Sequence, residues 1–158
     1  EGDWKKLKKM PTKLNAHGFV ASPDGKYLYV VGGFSKSPLQ DCYRYCIKSN
    51  KWTPLPKLPE AVSGNSAVCF YSPDQVEKYC VVTFGNKRTD GCQLAVMNIS
   101  RDDVEFTKNQ WTEIYIDGQF SSKETFAQMV SLTDNSALVV TSKKQTFRLD
   151  LDCGMFAL

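Results

Sequence analysis

The stretch Tyr27-Leu28-Tyr29-Val30-Val31-Gly32-Gly33 decides how this chain folds. Its tyrosines and valines are residue types enriched in β-strands, and the two glycines end the run. The phrase Trp-x-x-Leu-x-x-Met/Leu-Pro occurs twice, beginning at Trp4 and at Trp52, 48 residues apart. Because its second copy follows the strand and the double glycine, the order strand, Gly-Gly, strand, Trp defines one repeat unit. A repeat of this length predicts modules that bury their apolar faces against their neighbours.

Three tandem units can be aligned on this order, and all their predicted elements are strands. In the first unit they are Ala16 to Ala21, Lys26 to Val31, Asp41 to Ile47 and Trp52 to Leu55. In the second they are Ser66 to Tyr71, Lys78 to Phe84, Gln93 to Asn98 and Trp111 to Ile116. In the third they are Phe126 to Leu132, Ala137 to Thr141 and Thr146 to Leu151. No segment has convincing 3.6-residue periodicity, so we expect a nearly helix-free protein.

The turn residues support these boundaries. The double glycine, in contrast, is replaced by other residues in the second and third units. Pro23-Asp24-Gly25 and Ser49-Asn50 mark chain reversals between predicted strands of the first unit. Gly32-Gly33 becomes Phe84-Gly85 in the second unit and Thr141-Ser142 in the third. The first unit therefore carries the most complete pattern, and the later units are aligned mainly by their order.

The first unit resembles the kelch repeat, because Gly32-Gly33 is followed by Asp41, Tyr45 and Trp52 at the relative places usual for that family. The second unit keeps Gly85 and Trp111, and the third is similar mostly in its order of elements. The resemblance implies an all-β fold, a kelch-type β-propeller segment of about three four-stranded antiparallel blades. It divides the chain into residues 1–14 (outer strand and link from a preceding blade), 15–60, 61–117 and 118–158 (an incomplete third blade).

The signature residues also have structural explanations of their own. A glycine pair at a strand end permits backbone angles or close approaches that a side chain would block. Trp52 is large enough to cover a blade face, and Tyr45 can pack near it with its hydroxyl in water. Propellers close with four to eight blades, so the rest of the propeller or another copy of the chain is needed to complete the ring.

Composition narrows the classes of partner and the cellular compartment. The chain has 158 residues, 42% of them hydrophobic, and a net charge of +3. This mild charge does not predict a nucleic-acid partner, and no apolar run is long enough to span a bilayer. Six cysteines occur without a CxxC pair, and Cys42 and Cys46 are too far apart on one strand to bridge each other. We expect reduced thiols and a cytoplasmic protein, with the cytoskeleton as an open alternative.

Catalytic and cofactor motifs are not recognisable in the sequence. His17 is the single histidine, and a structural role at the entry to an inner strand is favoured for it. No nucleophile elbow accompanies it, and Val30-Val31-Gly32-Gly33-Phe34 lacks the lysine of a phosphate-binding loop. Enzymatic relatives that resemble galactose oxidase use two histidines at their copper site. We therefore expect no enzyme activity, catalytic residue, cofactor or metal.

The resemblance implies a protein-protein interaction module that binds through its inter-strand loops. Two partners remain open, namely actin filaments, or a ubiquitination substrate recognised by a BTB-kelch adaptor of a cullin-type ligase. The alternative is a segment of a galactose-oxidase-like enzymatic or small-ligand-binding propeller. The loops after the second strands, Ser35 to Gln40, Asn86 to Gly91 and Lys143 to Gln145, should line one face. The predicted contact residues in them are Ser35, Lys36, Ser37, Asn86, Lys87, Arg88, Lys143 and Lys144.

Overall fold

A computed structural model describes residues 2–72, 78–87, 92–100, 110–114, 127–133, 135–141 and 144–150. All regular secondary structure in these ranges is β-strand. Within the same ranges, no helix has the length and apolar character needed to cross a membrane. The described part of the chain thus has the helix-free character that the sequence predicts.

The strands form three antiparallel sheets in chain order. The first sheet contains β1 (Gly18–Ala21), β2 (Tyr27–Val31), β3 (Cys42–Cys46) and β4 (Lys51–Leu55), in that order. The second contains β5 (Val62–Tyr71), β6 (Lys78–Lys87), β7 (Cys92–Ser100) and β8 (Thr112–Ile114). The third contains β9 (Gln128–Thr133), β10 (Ser136–Val140) and β11 (Thr146–Asp150). Each sheet is a meander in which sequential strands pair.

The first strands of the sheets lie next to one another, β5 between β1 and β9. The start of β5 reaches β1 through the amide of Gly64, which donates to the carbonyl of Ala16 at 2.9 Å. The start of β9 reaches β5 through the amide of Met129, which donates to Ser66 Oγ at 2.9 Å. The sheets therefore fan out from adjacent inner strands. This is the arrangement of propeller blades.

Two hydrophobic cores fill the spaces between the sheets. The core between the first and second sheets contains Tyr29, Val31, Cys42, Leu55, Leu58, Val62, Cys69, Tyr79, Val81, Ala95, Met97, Ile99 and Trp111. The core between the second and third contains Val68, Phe70, Cys80, Val82, Phe84, Leu94, Val96, Ala127, Met129, Ala137 and Val139. Alternate residues of β6 enter opposite cores, because successive strand side chains point to opposite faces. The middle sheet is apolar on both sides for this reason.

The observed strands match the predicted ones closely in the first unit and extend them in the second. β5 begins at Val62 instead of Ser66, because Ser63 pairs with Asn86 before a β-bulge that precedes Ser66. β6 continues through Lys87, where a loop was expected. Residues 2–14 are described without a strand. The division of the chain into domains, including the outer strand predicted in residues 1–14, stays a prediction.

Candidate functional site

The ends of β2, β6 and β10 lie on one face of the fan. The starts of β1, β5 and β9 meet, and each pairs in antiparallel fashion with the end of the next strand of its sheet. The ends of β2, β6 and β10 therefore point to the same side. We call this side the loop face and define it by its described residues, which are Phe34 to Gln40, Asn86 and Lys87 at the end of β6, and Lys144 with Gln145.

The double glycine lets the chain turn from β2 into the first of these loops. Gly32 and Gly33 have φ angles of 58° and 113°, which L-residues with side chains rarely adopt. A Cβ on Gly32 would lie 2.6 Å from Val62 Cγ2, and one on Gly33 would lie 2.9 Å from His17 Cβ. Both glycines are thus required by backbone angle and by close approach.

The base of the β2–β3 loop is fixed by hydrogen bonds to the following blade and its link. The amide of Val62 donates to the carbonyl of Leu39 at 3.0 Å, and that of Gly33 donates to the carbonyl of Val62 at 3.0 Å. Gln40 Nε2 donates to the carbonyls of Leu58 and Pro59, each at 2.9 Å. The loop is therefore part of the interface between the first two sheets and not a free connector.

The tip of this loop presents one aromatic and one basic side chain to solvent. Phe34 is 38% exposed, and its backbone forms two hydrogen bonds with Asn15, at 2.8 and 2.9 Å. The amide of Ser35 donates to the carbonyl of Ser37 at 3.0 Å, which closes a tight turn around the exposed Lys36. Phe34 was not among the predicted contact residues, although an aromatic residue directly after the double glycine is visible in the sequence.

The other predicted contact residues are described only in part. Asn86 and Lys87 lie at the end of β6, and Val62 pairs with Lys87 on one side and with Leu39 on the other. This pairing connects the end of β6 to the β2–β3 loop. Lys144 is exposed, and its amide donates to the carbonyl of Thr141 at 3.1 Å. Arg88 and Lys143 lie outside the described residues, and the assignment of all eight contact residues stays a prediction.

The aromatic signature residues hold each blade to the link that precedes it. Trp111 Nε1 donates to the carbonyl of Pro56, and Trp52 Nε1 donates to that of Lys8, both at 3.0 Å. The rings of Tyr45 and Trp52 lie 4.9 Å apart. Tyr45 is 2% exposed and its hydroxyl donates to Asn50 Oδ1 at 2.6 Å, so the expectation of a hydroxyl in water was wrong.

In the second blade, a single glycine, Gly85, stands in place of the double glycine, and it makes a close approach to a neighbouring strand. A Cβ on Gly85 would overlap Asn65 of the neighbouring inner strand. Gly85 therefore has a packing role, whereas its φ lies outside the left-handed range.

On the side opposite the loop face, a carboxylate joins the first blade to the second. Asp24 Oδ2 accepts a hydrogen bond from Tyr79 Oη at 2.6 Å, and Asp24 Oδ1 accepts one from Ser22 Oγ at 2.8 Å. The amide of Lys26 also donates to Asp24 Oδ1, at 3.1 Å. Burial alone would raise the pKa of Asp24, but the hydrogen bonds from Tyr79, Ser22 and Lys26 outweigh it and hold this pKa well below its ordinary value.

The four cysteines whose side chains the structure describes do not form a reactive cluster with His17. Burial raises the pKa values of Cys42 and Cys80 to about 12, and it lowers the pKa of His17. Hydrogen bonds from Ser49 lower the pKa of the less buried Cys46. Cys42, Cys46, Cys69 and Cys80 are all free thiols. Among the described residues, no group of three or more His, Cys, Asp or Glu side chains could hold a metal ion.

Comparison with known families agrees with the geometry of the first blade. The sequence model of the Kelch motif matches residues 16–59, which span β1 to β4 and the start of the following link. The first blade is thus a Kelch motif, and the chain has the fold of a kelch-type β-propeller segment. No curated protein matches the chain. Kelch motifs are generally non-catalytic modules of protein-interaction propellers, and the match in the first blade suggests this kind of propeller.

Proposed function

We propose that the loop face of this propeller segment binds a protein partner and that the chain has no catalytic role. The tip of the β2–β3 loop carries the proposal. There the exposed ring of Phe34 lies two residues from the exposed Lys36, on a backbone that hydrogen bonds hold at both ends. A rigid loop loses little conformational entropy on binding, so its contacts contribute more fully to affinity. Rigid scaffolds that present loops are a common basis of recognition.

The chemistry of the loop face favours a partner with an acidic surface that contains an apolar recess. Aromatic side chains that enter a pocket commonly account for much of the binding energy at protein interfaces. Lys36 and Lys144 are exposed on the described part of this face. Complementary charge would speed association and orient the partner, and it would make binding sensitive to salt.

Two partners fit this proposal and the kelch motif. One is an actin filament, which would make the protein cytoskeletal. The other is a ubiquitination substrate, with the propeller acting as the recognition domain of an adaptor for a cullin-type ubiquitin ligase. Both place the protein in the cytoplasm. Among the residues that the structure describes, no specific observation favours the alternative of a galactose-oxidase-like or small-ligand-binding propeller.

Co-sedimentation with actin filaments and pull-down with a cullin complex separate the two partners. Phe34→Ala and Lys36→Glu should each weaken the authentic interaction at least about tenfold, since interface hot spots commonly contribute this much. The matched control is Lys48→Glu, which makes the same charge change at the exposed β3–β4 turn, on the opposite side of the blade. The control should bind as the unaltered chain does.

The outcomes separate a wrong location of the binding surface from a wrong identity of the partner. Binding that is lost in Lys48→Glu but kept in Phe34→Ala and Lys36→Glu would move the site away from the loop face. Binding to neither actin nor the cullin complex would remove both named partners. Circular dichroism of each variant establishes that the blade remains folded.

A further inference from the structure

Four serine or threonine residues stand directly before a proline, and the fold hides three of them. The four are Ser22, Ser37, Thr53 and Ser72. Ser22 is 3% exposed and Ser72 is 7% exposed, while Thr53 lies inside β4 and pairs with Arg44 of β3. Ser37, in contrast, is exposed. The structure therefore distinguishes one hydroxyl group among four that share the same local sequence.

Ser37 lies at the tip of the β2–β3 loop, between two points that hold the loop in place. On one side, the backbone of Phe34 is bonded to the segment that precedes β1. On the other side, the amide of Leu39 donates to a carbonyl of the double glycine at 2.9 Å. Within residues 35–38 the backbone has one hydrogen bond, from the Ser35 amide to the Ser37 carbonyl. The tip is thus held less firmly than the two ends of the loop.

The conformation of Lys36 makes this turn easy to open. Its φ is 55°, in the left-handed region that is unfavourable for a residue with a Cβ. Opening the turn exchanges one exposed hydrogen bond for bonds to water, and it releases Lys36 from the left-handed region. The segment that contains Ser37 can therefore extend while the ends of the loop stay in place. Since protein kinases bind the segment around the acceptor hydroxyl in an extended conformation, this tip is suited to them.

We infer that Ser37 is a phosphorylation site for a protein kinase of the class that requires proline directly after the acceptor. Pro38 supplies that proline. In the reaction, Ser37 Oγ attacks the terminal phosphorus of Mg²⁺-bound ATP. The new O–P bond forms as the bond from this phosphorus to the bridging oxygen breaks, and ADP leaves. The hydroxyl proton passes to the catalytic carboxylate of the kinase.

Phosphorylation reverses the charge of the loop tip. Lys36 is the only charged residue from Phe34 to Gln40, so the tip carries a charge of +1. A phosphoserine carries about −1.5 to −2 at neutral pH, which changes the sum to about −0.5 to −1. A partner with an acidic surface would then be repelled. Phosphorylation of Ser37 thus releases the partner, and this consequence rests on the proposed function of the loop face.

Phosphate transfer to the folded 158-residue chain tests the site. Incubation with a purified proline-directed kinase and MgATP should add one phosphate, which mass spectrometry of peptides should place on Ser37. Ser37→Ala should abolish the uptake. The matched control is Ser35→Ala, which removes a hydroxyl of the same loop that is followed by a lysine, and it should take up phosphate as the unaltered chain does. Circular dichroism establishes that both variants are folded.

Short peptides separate the effect of the fold from that of the sequence. As free peptides, the segments around Ser22 and Ser72 should accept phosphate at least about tenfold faster than the same serines do in the folded chain, because exposure there requires local unfolding. The peptide around Ser37 should gain much less over the folded chain. The three peptides have the sequences of residues 18–27, 68–77 and 33–42.

The effect on the partner is measured with one protein before and after modification. The phosphorylated chain should bind at least about tenfold more weakly to actin filaments or to the cullin complex, whichever the unmodified chain binds. Treatment with a phosphatase should restore the affinity. The difference should narrow at high salt, because mobile ions screen exposed charges.

The site and its effect can fail separately. Phosphate placed on Ser22, Ser35 or Ser72 of the folded chain in preference to Ser37 would overturn the site, as would equal uptake by Ser37→Ala. Unchanged binding after complete phosphorylation would overturn the release of the partner and leave the site in place. If the unmodified chain binds neither actin nor the cullin complex, the proposed function fails, and uptake at Ser37 still decides the site.

Discussion

The hydrogen bond between Asp24 and Tyr79 should couple the first two blades energetically. The perturbation is a double-mutant cycle with Asp24→Asn, Tyr79→Phe and the double substitution. Tyr79 Oη donates to Asp24 Oδ2 at 2.6 Å across the blade interface. The Asp24 side chain is 19% exposed, so solvent screens this bond only in part. A cycle isolates the interaction between the two side chains from their other contacts.

The expected coupling energy follows from the charge on the acceptor. Hydrogen bonds to charged groups contribute about 1.5 to 3 kcal/mol, and we expect a coupling of about 2 kcal/mol in this short, partly buried bond. The ion pair between Lys26 and Asp24 should add little, because the Lys26 side chain is 62% exposed. Lys26→Met is therefore a useful control, with a much smaller loss of stability than Asp24→Asn.

The pH dependence gives an independent measure of how strongly Tyr79, Ser22 and Lys26 together stabilise the charged form of Asp24. The pKa of Asp24 in the folded chain is depressed, whereas an unfolded Asp has a pKa of about 3.9. The stabilisation is thus fully present above the unfolded value and fades as the pH falls through the lower folded value. The unaltered chain should lose more free energy of unfolding than Asp24→Asn between about pH 5 and about pH 2.

Urea unfolding followed by tryptophan fluorescence measures both quantities. A coupling energy below about 0.5 kcal/mol would refute the assignment of an inter-blade bond, since this is the ordinary scatter of additivity. Equal acid sensitivity of the unaltered chain and Asp24→Asn would refute the assignment of a depressed pKa. Loss of coupling without loss of pH sensitivity would point to Ser22 and Lys26 as the main donors.

Three substitutions and one chemical modification test other contacts. Gly32→Ala should cost about 2 kcal/mol or more in urea unfolding, from left-handed strain and contact with Val62, whereas Gly25→Ala, with φ 69° and open space, should cost only the strain of about 1 kcal/mol. Cys46 should react with iodoacetamide before the buried thiols at neutral pH, as peptide mass spectrometry would show, because its pKa is lowered while burial raises theirs. Asn65→Ala should lower the free energy of unfolding by about 1 to 3 kcal/mol, since it leaves a buried carbonyl of the first blade without its donor; a change below about 0.5 kcal/mol would contradict this role.

The first blade was predicted well from the sequence because the residues that end its strands act locally. The Asp-Gly and Ser-Asn turns and the double glycine fix the strand ends, because the φ preferences of these residues do not depend on the surrounding structure. Gly25, Gly32 and Asn50 all have positive φ. The start of β5 was missed for the opposite reason. Ser63-Gly64-Asn65 is a poor strand sequence, and it is held in the sheet by long-range bonds to β1 and β6 that no local pattern contains.

The candidate site was predicted only as a set of loops. That three connections share one face follows from the repeat alone, but the exposure of Phe34 depends on how Asn15 holds its backbone. The contacts of Asp24 and Asn65 join residues far apart in sequence. Both nevertheless leave traces, since Ser-Pro-Asp recurs at residues 22–24 and 72–74, and Asn65 stands 48 residues after His17. A comparison of the residues at equivalent positions of the repeats would have singled out Asp24 and Asn65.

The two-sided apolar character of the middle sheet has a consequence for biosynthesis. Tyr79 to Phe84 is an uncharged run rich in β-formers, and its side chains alternate between the two cores. As the polypeptide leaves the ribosome, the first sheet can cover only one side of this run, and the other stays open until β9 and β10 emerge. Slow translation or a destabilising change in the third sheet would prolong that interval and favour amyloid-like pairing between nascent chains.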